Sequence, residues 1–277
     1  MVDPVISTGA LALRLGASDL RLVDASWFMD KRDATPAFLD AHLPRAVFFD
    51  IDAVADRTTD LPHMLPSPEA FADAVSKLGV SDHDHIVCYD QQGLFSAARA
   101  WWTFRVFGAQ HVQVLDGGLP KWRAEGRPVE GGAPRPAPTT FHARFHPELV
   151  ADWRGVLANI EHKDFQLIDA RGAERFRGEA AEPRPGLRSG HVPGSLSAPF
   201  GSVLNGDGTM KDQAALTAVF DAARLDLISP ITATCGSGLT AAILALALAR
   251  LGREDVAVYD GSWSEWGGRA DLPVAAG

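Results

Sequence analysis

The sequence predicts an α/β protein of two tandem, similarly built domains, each a mainly parallel sheet flanked by helices. Short β-rich runs alternate with helical patterns along the chain, an order that yields parallel sheets covered on their faces. Four landmarks recur in the same order in the two halves, as expected of an internal duplication. Between the halves, Arg127 to Pro147 holds Pro128, Gly131, Gly132, Pro134, Pro136, Pro138 and Pro147. Such a stretch forms neither a regular helix nor a central strand and reads as an ordered or semi-rigid linker.

The elements follow in chain order. Leu22-Val23-Asp24-Ala25 is an apolar strand echoed by Leu167-Ile168-Asp169-Ala170-Arg171. Ala41-His42-Leu43-Pro44-Arg45-Ala46 is echoed by Gly190-His191-Val192-Pro193-Gly194-Ser195, and the matched histidines point to a shared structural role. Ile86-Val87-Cys88-Tyr89-Asp90 is echoed by Ile231-Thr232-Ala233-Thr234-Cys235, and Val112 to Gly118 by Val256 to Ser262. Helical patterns cover Pro68 to Leu78, Ala97 to Phe107, Gln213 to Ala223 and Ala241 to Leu251. The first domain is therefore expected over residues 1–135 and the second over 148–277, with the linker at about 128–147. Aligned this way, Asp90 is the approximate counterpart of Cys235, so only the second half keeps a thiol. That half is the catalytic candidate, and the first supplies scaffold and a few groups facing a cleft.

Composition fixes the broad class. The chain of 277 residues is 46% hydrophobic and 22% charged, that of an ordinary globular protein. Its net charge of −9, from 26 basic and 35 acidic residues, implies no nucleic-acid partner. Two cysteines, Cys88 and Cys235, make no disulfide framework; Cys88 reads as an inert residue of a buried strand. The scattered histidines form no Cys/His cluster, so no metal and no organic cofactor are expected. Met1 to Gly16 shows no export signal, and Ala241 to Leu251 is too short to span a bilayer. The expected setting is the cytoplasm, away from membranes.

Cys235 carries the chemistry. It sits in Thr232-Ala233-Thr234-Cys235-Gly236-Ser237-Gly238-Leu239-Thr240, between a strand end and a helix start. There, successive backbone N–H groups and a helix dipole lower a thiol pKa and hold an anion. Gly236 and Gly238 permit a tight loop and a close approach of substrate. The plainer alternative is a small buried hydrophobe. Gly236-x-Gly238-x-x-Ala241 with Asp260 also fits a dinucleotide fingerprint, although too little chain follows Asp260 to complete that fold. A Cys-x5-Arg phosphatase loop fails because position 241 is Ala.

The tandem arrangement, the single C-terminal active cysteine and Tyr259-Asp260-Gly261-Ser262-Trp263-Ser264-Glu265-Trp266 together resemble the two-domain rhodanese (sulfurtransferase) family, from about Leu22 to Gly267. In that family thiosulfate-using members carry cationic residues after the cysteine, whereas Cys-Gly-Ser-Gly-[aliphatic]-Thr is typical of 3-mercaptopyruvate sulfurtransferases. Cys235 to Thr240, with Leu239 where Val is commoner, resembles the second branch. The physics agrees: a dianion such as thiosulfate profits from fixed cations beside the nucleophile, and this loop offers none.

The resemblance implies further residues. Glu174-Arg175-Phe176-Arg177-Gly178 and Glu182-Pro183-Arg184-Pro185-Gly186 resemble the family segments with two substrate-binding arginines, mapping to Arg175 and Arg184. An arginine fork suits a carboxylate and its neighbouring keto oxygen; taken alone, Arg175 reads as a surface group paired with Glu174 or Glu179. Asp52 and His63 match the family's partners of the loop serine, implying a Ser237–His63–Asp52 proton relay across the domain interface; alone, His63 reads as a locally packed loop histidine. Phe95 stands where many members have tyrosine. The resemblance implies transfer of a sulfane sulfur from 3-mercaptopyruvate through a Cys235 persulfide to a thioredoxin-like or low-molecular-weight thiol, or to cyanide, with release of pyruvate. Thiosulfate:cyanide sulfurtransfer and a non-catalytic persulfide-binding module stand as alternatives.

Overall fold

In the computed structural model, which describes residues 2–277, ten strands form two five-stranded sheets with the same strand permutation. The first comprises β1 (Val5–Ile6), β2 (Leu20–Asp24), β3 (Val47–Phe48), β4 (His85–Tyr89) and β5 (His111–Leu115), ordered β1-β5-β4-β2-β3. The second comprises β6 (Val150–Ala151), β7 (Gln166–Asp169), β8 (Leu196–Ser197), β9 (Ile231–Thr234) and β10 (Ala257–Tyr259), ordered β6-β10-β9-β7-β8. Every ladder is parallel, as two sheets of βα crossovers require. The middle strands, β4 and β9, are buried along almost their whole length because both of their faces are covered.

The expected helices form with ends within a residue of their patterns: Pro68–Lys77, Ala97–Val106, Gln213–Ala222 and Ala241–Arg250. Ser67 and Asp212 cap the first and third by accepting from the Ala70 and Ala215 amides at 3.2 and 2.8 Å. Ala241–Arg250 is a run of Ala, Leu and Ile, the strongest helix formers among apolar residues apart from β-branched Ile, and nearly all of it is buried.

The chain divides into two compact units. One holds the chain up to Asp56 with Leu65–His146 and Gly206–Met210; the other holds Arg57–Met64, Pro147–Asn205 and Lys211–Gly277. The proline-rich stretch after Arg127 runs without helix or regular strand until Pro147. It is tied to the first unit by Thr139 N–H to Ser76 O at 3.0 Å, Arg144 N–H to Phe107 O at 2.9 Å and His146 N–H to Val106 O at 2.8 Å. Phe141, in the same stretch, is buried against Phe71 and Phe104.

Each unit has its own core, around Leu22, Phe38, Tyr89 and Trp122 in the first and around Leu167, Tyr259, Trp263 and Trp266 in the second. His42 and His191 play the matched structural part expected of them. Each stacks on a phenylalanine, Phe38 at 4.4 Å and Phe176 at 3.9 Å between centroids. Each also bonds a backbone carbonyl through Nδ1, that of Leu43 at 2.9 Å and that of Phe176 at 2.8 Å. Among the described residues no helix is long and apolar enough to cross a membrane, and no three His, Cys, Asp or Glu side chains gather as a metal site.

Candidate active site

Register makes the repeat exact at the position that matters. β2 aligns Asp24 with Tyr89 of β4, and β7 aligns Asp169 with Thr234 of β9. The next residues, Asp90 and Cys235, therefore occupy equivalent points beyond the carboxyl end of each central strand, where α/β sheets place their ligands. Cys88 lies inside β4, where burial pushes its thiol well above the ordinary cysteine range.

The Cys235 loop is held from one side by the helix Ser262–Trp266. Trp263 N–H donates to Cys235 O at 3.0 Å, and Gly236 O accepts from Ser264 N–H at 2.8 Å and from its Oγ at 2.6 Å. Ser262 Oγ accepts from Cys235 N–H at 3.2 Å and donates to Tyr259 O at 2.7 Å. The amide of Cys235 itself is thus committed to Ser262. The amides of Gly236, Ser237, Leu239 and Thr240 donate to no acceptor among the described residues. Gly238 has φ +74°, a left-handed turn at which glycine carries no steric cost.

The first unit shows what such a loop does with an anion. The Asp90 carboxylate accepts from the amides of Gln92 at 2.8 Å, Phe95 at 2.7 Å and Ala97 at 2.9 Å. Leu119 N–H bonds Asp90 O at 2.9 Å, as Trp263 does Cys235 O. Gly118, equivalent to Ser262, has φ +54°, and a Cβ there would lie 2.5 Å from Asp90 O. The first loop is therefore filled by its own carboxylate, and a thiol stands at that point only in the second. Phe95 lends its amide to Asp90 while its ring stacks on Trp27 at 6.5 Å.

Cys235 is buried at 1% exposure, and Leu239 and Ser237 are buried beside it at 3% and 8%. Gly236 and Thr240 are half-buried and form the outer part of the loop. Arg175, on the short helix Ala173–Phe176, brings its guanidinium to this loop: a Cβ on Gly236 would lie 3.2 Å from Arg175 Nη2. Its ionic partner is Glu182, at 2.5 Å, not Glu174 or Glu179; Glu179 pairs with Arg177 instead. Arg184 is half-buried in the irregular segment that also carries Glu182.

The three relay residues belong to both units. Asp52 lies in the helix Ile51–Val54 of the first unit, and its carboxylate accepts from Trp27 Nε1 at 2.9 Å. His63 is buried at 4% with φ +62°, in the segment Arg57–Met64 of the second unit. The Ser237 hydroxyl hydrogen-bonds to no described residue.

Two groups at the site escaped the sequence reading. Ser262 was matched to Gly118 in the repeat, and a serine in place of a left-handed glycine was the available signal. Arg171, wholly buried, bonds Asp169, Glu182 and Gly190 O and lies 4.2 Å from the centroid of the Trp263 ring. An arginine directly after an apolar strand end was its only trace.

A rhodanese-like domain model matches residues 7–125 and 153–269. A mitochondrial thiosulfate/3-mercaptopyruvate sulfurtransferase of Arabidopsis thaliana is 46% identical over 98% of this chain and 78% of its own length. A 3-mercaptopyruvate sulfurtransferase of Escherichia coli strain K12 is 45% identical over 95% of each chain. The crystal structure of SseA from Escherichia coli, described as a 3-mercaptopyruvate sulfotransferase with the rhodanese fold, superposes with a TM-score of 0.87. It is 39% identical and covers 95% of this chain and 99% of that one.

Proposed function

Since the chain belongs to the rhodanese family, with a rhodanese-like domain in each of its two halves, we propose that it is a 3-mercaptopyruvate sulfurtransferase working through Cys235. The observation that carries the reading is the pairing, in one loop, of a sole thiol with main-chain amides that have no protein acceptor, next to the Arg175 guanidinium. Relatives named for 3-mercaptopyruvate and for thiosulfate support the reaction class. A loop without cations between Gly236 and Thr240 favours the monocarboxylate donor over the dianion.

In this reading Arg175 and Arg184 hold the carboxylate and keto oxygen of the donor. The Cys235 thiolate attacks the substrate sulfur, forming an S–S bond as the C–S bond breaks. The bonding pair leaves on the three-carbon fragment as pyruvate enolate, which takes up a proton to give pyruvate. Ser237, His63 and Asp52 manage that proton, and the amides of Gly236, Gly238, Leu239 and Thr240 stabilise anionic sulfur. A thiolate, from a thioredoxin-like protein or a small thiol, or cyanide then attacks the outer sulfur of the Cys235 persulfide and restores the thiolate. The two domains are 1–135 and 148–277, joined through about 128–147. Two free cysteines suit a reducing compartment, which we take to be the cytoplasm.

Steady-state release of pyruvate from 3-mercaptopyruvate, with a thiol acceptor, tests the reading. Wild type should turn over with a higher kcat/KM than on thiosulfate, and Cys235→Ser should be inactive. A higher kcat/KM on thiosulfate would move the chain to the thiosulfate:cyanide reaction. No turnover on either donor would leave it a persulfide-binding module.

A further inference from the structure

We infer that Glu182 is the positioning and selectivity residue of this site: it fixes Arg175 beside the cysteine loop and cancels its charge, so that the loop meets an oriented but electrically compensated guanidinium. The inference rests on the reaction proposed above and names what sets its donor preference.

The geometry is a chain of contacts that starts and ends on the cysteine loop. Trp263 bonds Cys235 O through its backbone at 3.0 Å, and the Arg171 guanidinium lies 4.2 Å from the centroid of its ring. Arg171 grips Asp169 through Nε at 3.1 and 3.0 Å and through Nη2 at 2.7 Å, and reaches Glu182 Oε1 through Nη1 at 2.8 Å. Glu182 passes the contact on, accepting from Arg175 Nη2 at 2.5 Å and from Nε at 3.2 Å. Arg175 Nη2 then lies 3.2 Å from the Cβ position of Gly236.

Burial makes this more than a surface pair. The side chains of Arg171, Asp169 and Glu182 are each 1% exposed, whereas that of Arg175 is 25% exposed. Exposed ion pairs are weak and mobile, but a carboxylate removed from water and bonded to two guanidinium groups stays where it is. Both edges used by Glu182, Nε and Nη2, belong to one side of the Arg175 fork. The opposite edge, with Nη1, remains for a ligand, and its direction is set by the grip behind it. Two carboxylates and two guanidinium groups leave the quartet with no net charge. A monoanionic donor then gains from the fork's geometry, while a dianion does not receive the extra field that an uncompensated cation would provide.

The test uses the full-length protein and two readouts. One is the ratio of kcat/KM for 3-mercaptopyruvate to that for thiosulfate. The other is the ratio of Cys235 alkylation rates by iodoacetate and by iodoacetamide, read by peptide mass spectrometry; both reagents use the same thiolate, so their ratio reports local charge. In E182Q the donor ratio should fall and the alkylation ratio rise, each by roughly three- to tenfold, as one unmasked charge near the sulfur implies. E182D keeps the charge but shortens the reach. It should hold the alkylation ratio within about twofold of wild type while raising KM for 3-mercaptopyruvate with little change in kcat. R175Q leaves Glu182 uncompensated and should lower the alkylation ratio.

Unchanged ratios in a folded E182Q, or an E182D alkylation ratio equal to that of E182Q, would overturn the inference. Should E182Q not fold, an unchanged alkylation ratio in R175Q would overturn it instead. Absence of pyruvate release by wild type would refute the proposed reaction, and the alkylation arm would still judge Glu182.

Discussion

Replacing Ser262 probes the support of the cysteine loop. Ser262 is fully buried with φ +48°, and its hydroxyl is the acceptor for Cys235 N–H at 3.2 Å and the donor to Tyr259 O at 2.7 Å. Ser262→Ala keeps the left-handed backbone and leaves the Cys235 amide without its partner where water does not reach. An orphaned buried group costs about 1–3 kcal/mol; with the weakened Tyr259 carbonyl, a loss of about 2–3 kcal/mol is expected. Ser262→Gly loses the same hydroxyl but relieves the left-handed backbone, worth about 1 kcal/mol. The expected stability order is therefore Ser, then Gly, then Ala, the reverse of the usual order for Ala and Gly at buried helix starts. Urea unfolding of the three proteins reads the order directly. Ala as stable as Ser would show that the hydroxyl does not hold the loop, and Gly less stable than Ala would show that the left-handed backbone at this position carries no strain.

Two further perturbations address the arginine and the first unit. Gly236→Ala puts a methyl group 3.2 Å from Arg175 Nη2; with Arg175 anchored by Glu182, KM for 3-mercaptopyruvate should rise several-fold while kcat changes less, and an unaltered KM would separate Arg175 from donor binding. Burial raises the Asp24 carboxyl to about 6, against hydrogen bonds from Ser26 that lower it. Its folded value lies above the unfolded one near 3.9, so its contribution is fully present below about pH 4 and is lost as pH rises through about 6, by about 3 kcal/mol in all. Unfolding of wild type and Asp24→Asn across pH 4–7 should show the variant gaining relative stability with pH over that window; a difference independent of pH would contradict the raised carboxyl.

The duplication was legible because its landmarks sit on long, buried strands and on loops with demanding backbones: Leu22 to Ala25, Ile86 to Asp90 and their echoes each combine an apolar run with a fixed polar end. Four of the five ten-residue helices among the described residues were legible from their helical patterning; Trp153–His162 was not. The edge strands β1, β3, β6 and β8 were not, since two residues each show no period. At the site, Cys235 and its glycines announce a strand-to-helix loop, but Glu182 could not be told from its exposed neighbours. Its burial is created by Arg171 and Arg175, which reach it from another segment of the chain. The same holds for Ser262, whose role depends on the β9 loop lying against the helix that it begins.

The most direct measurement is the mass of the peptide containing Cys235 after brief exposure of the protein to 3-mercaptopyruvate without acceptor. A gain of one sulfur atom is expected at Cys235 and none at Cys88, and the added sulfur should be lost on addition of a thiol or cyanide. A Cys235 peptide of unchanged mass while pyruvate accumulates would contradict the Cys235 persulfide.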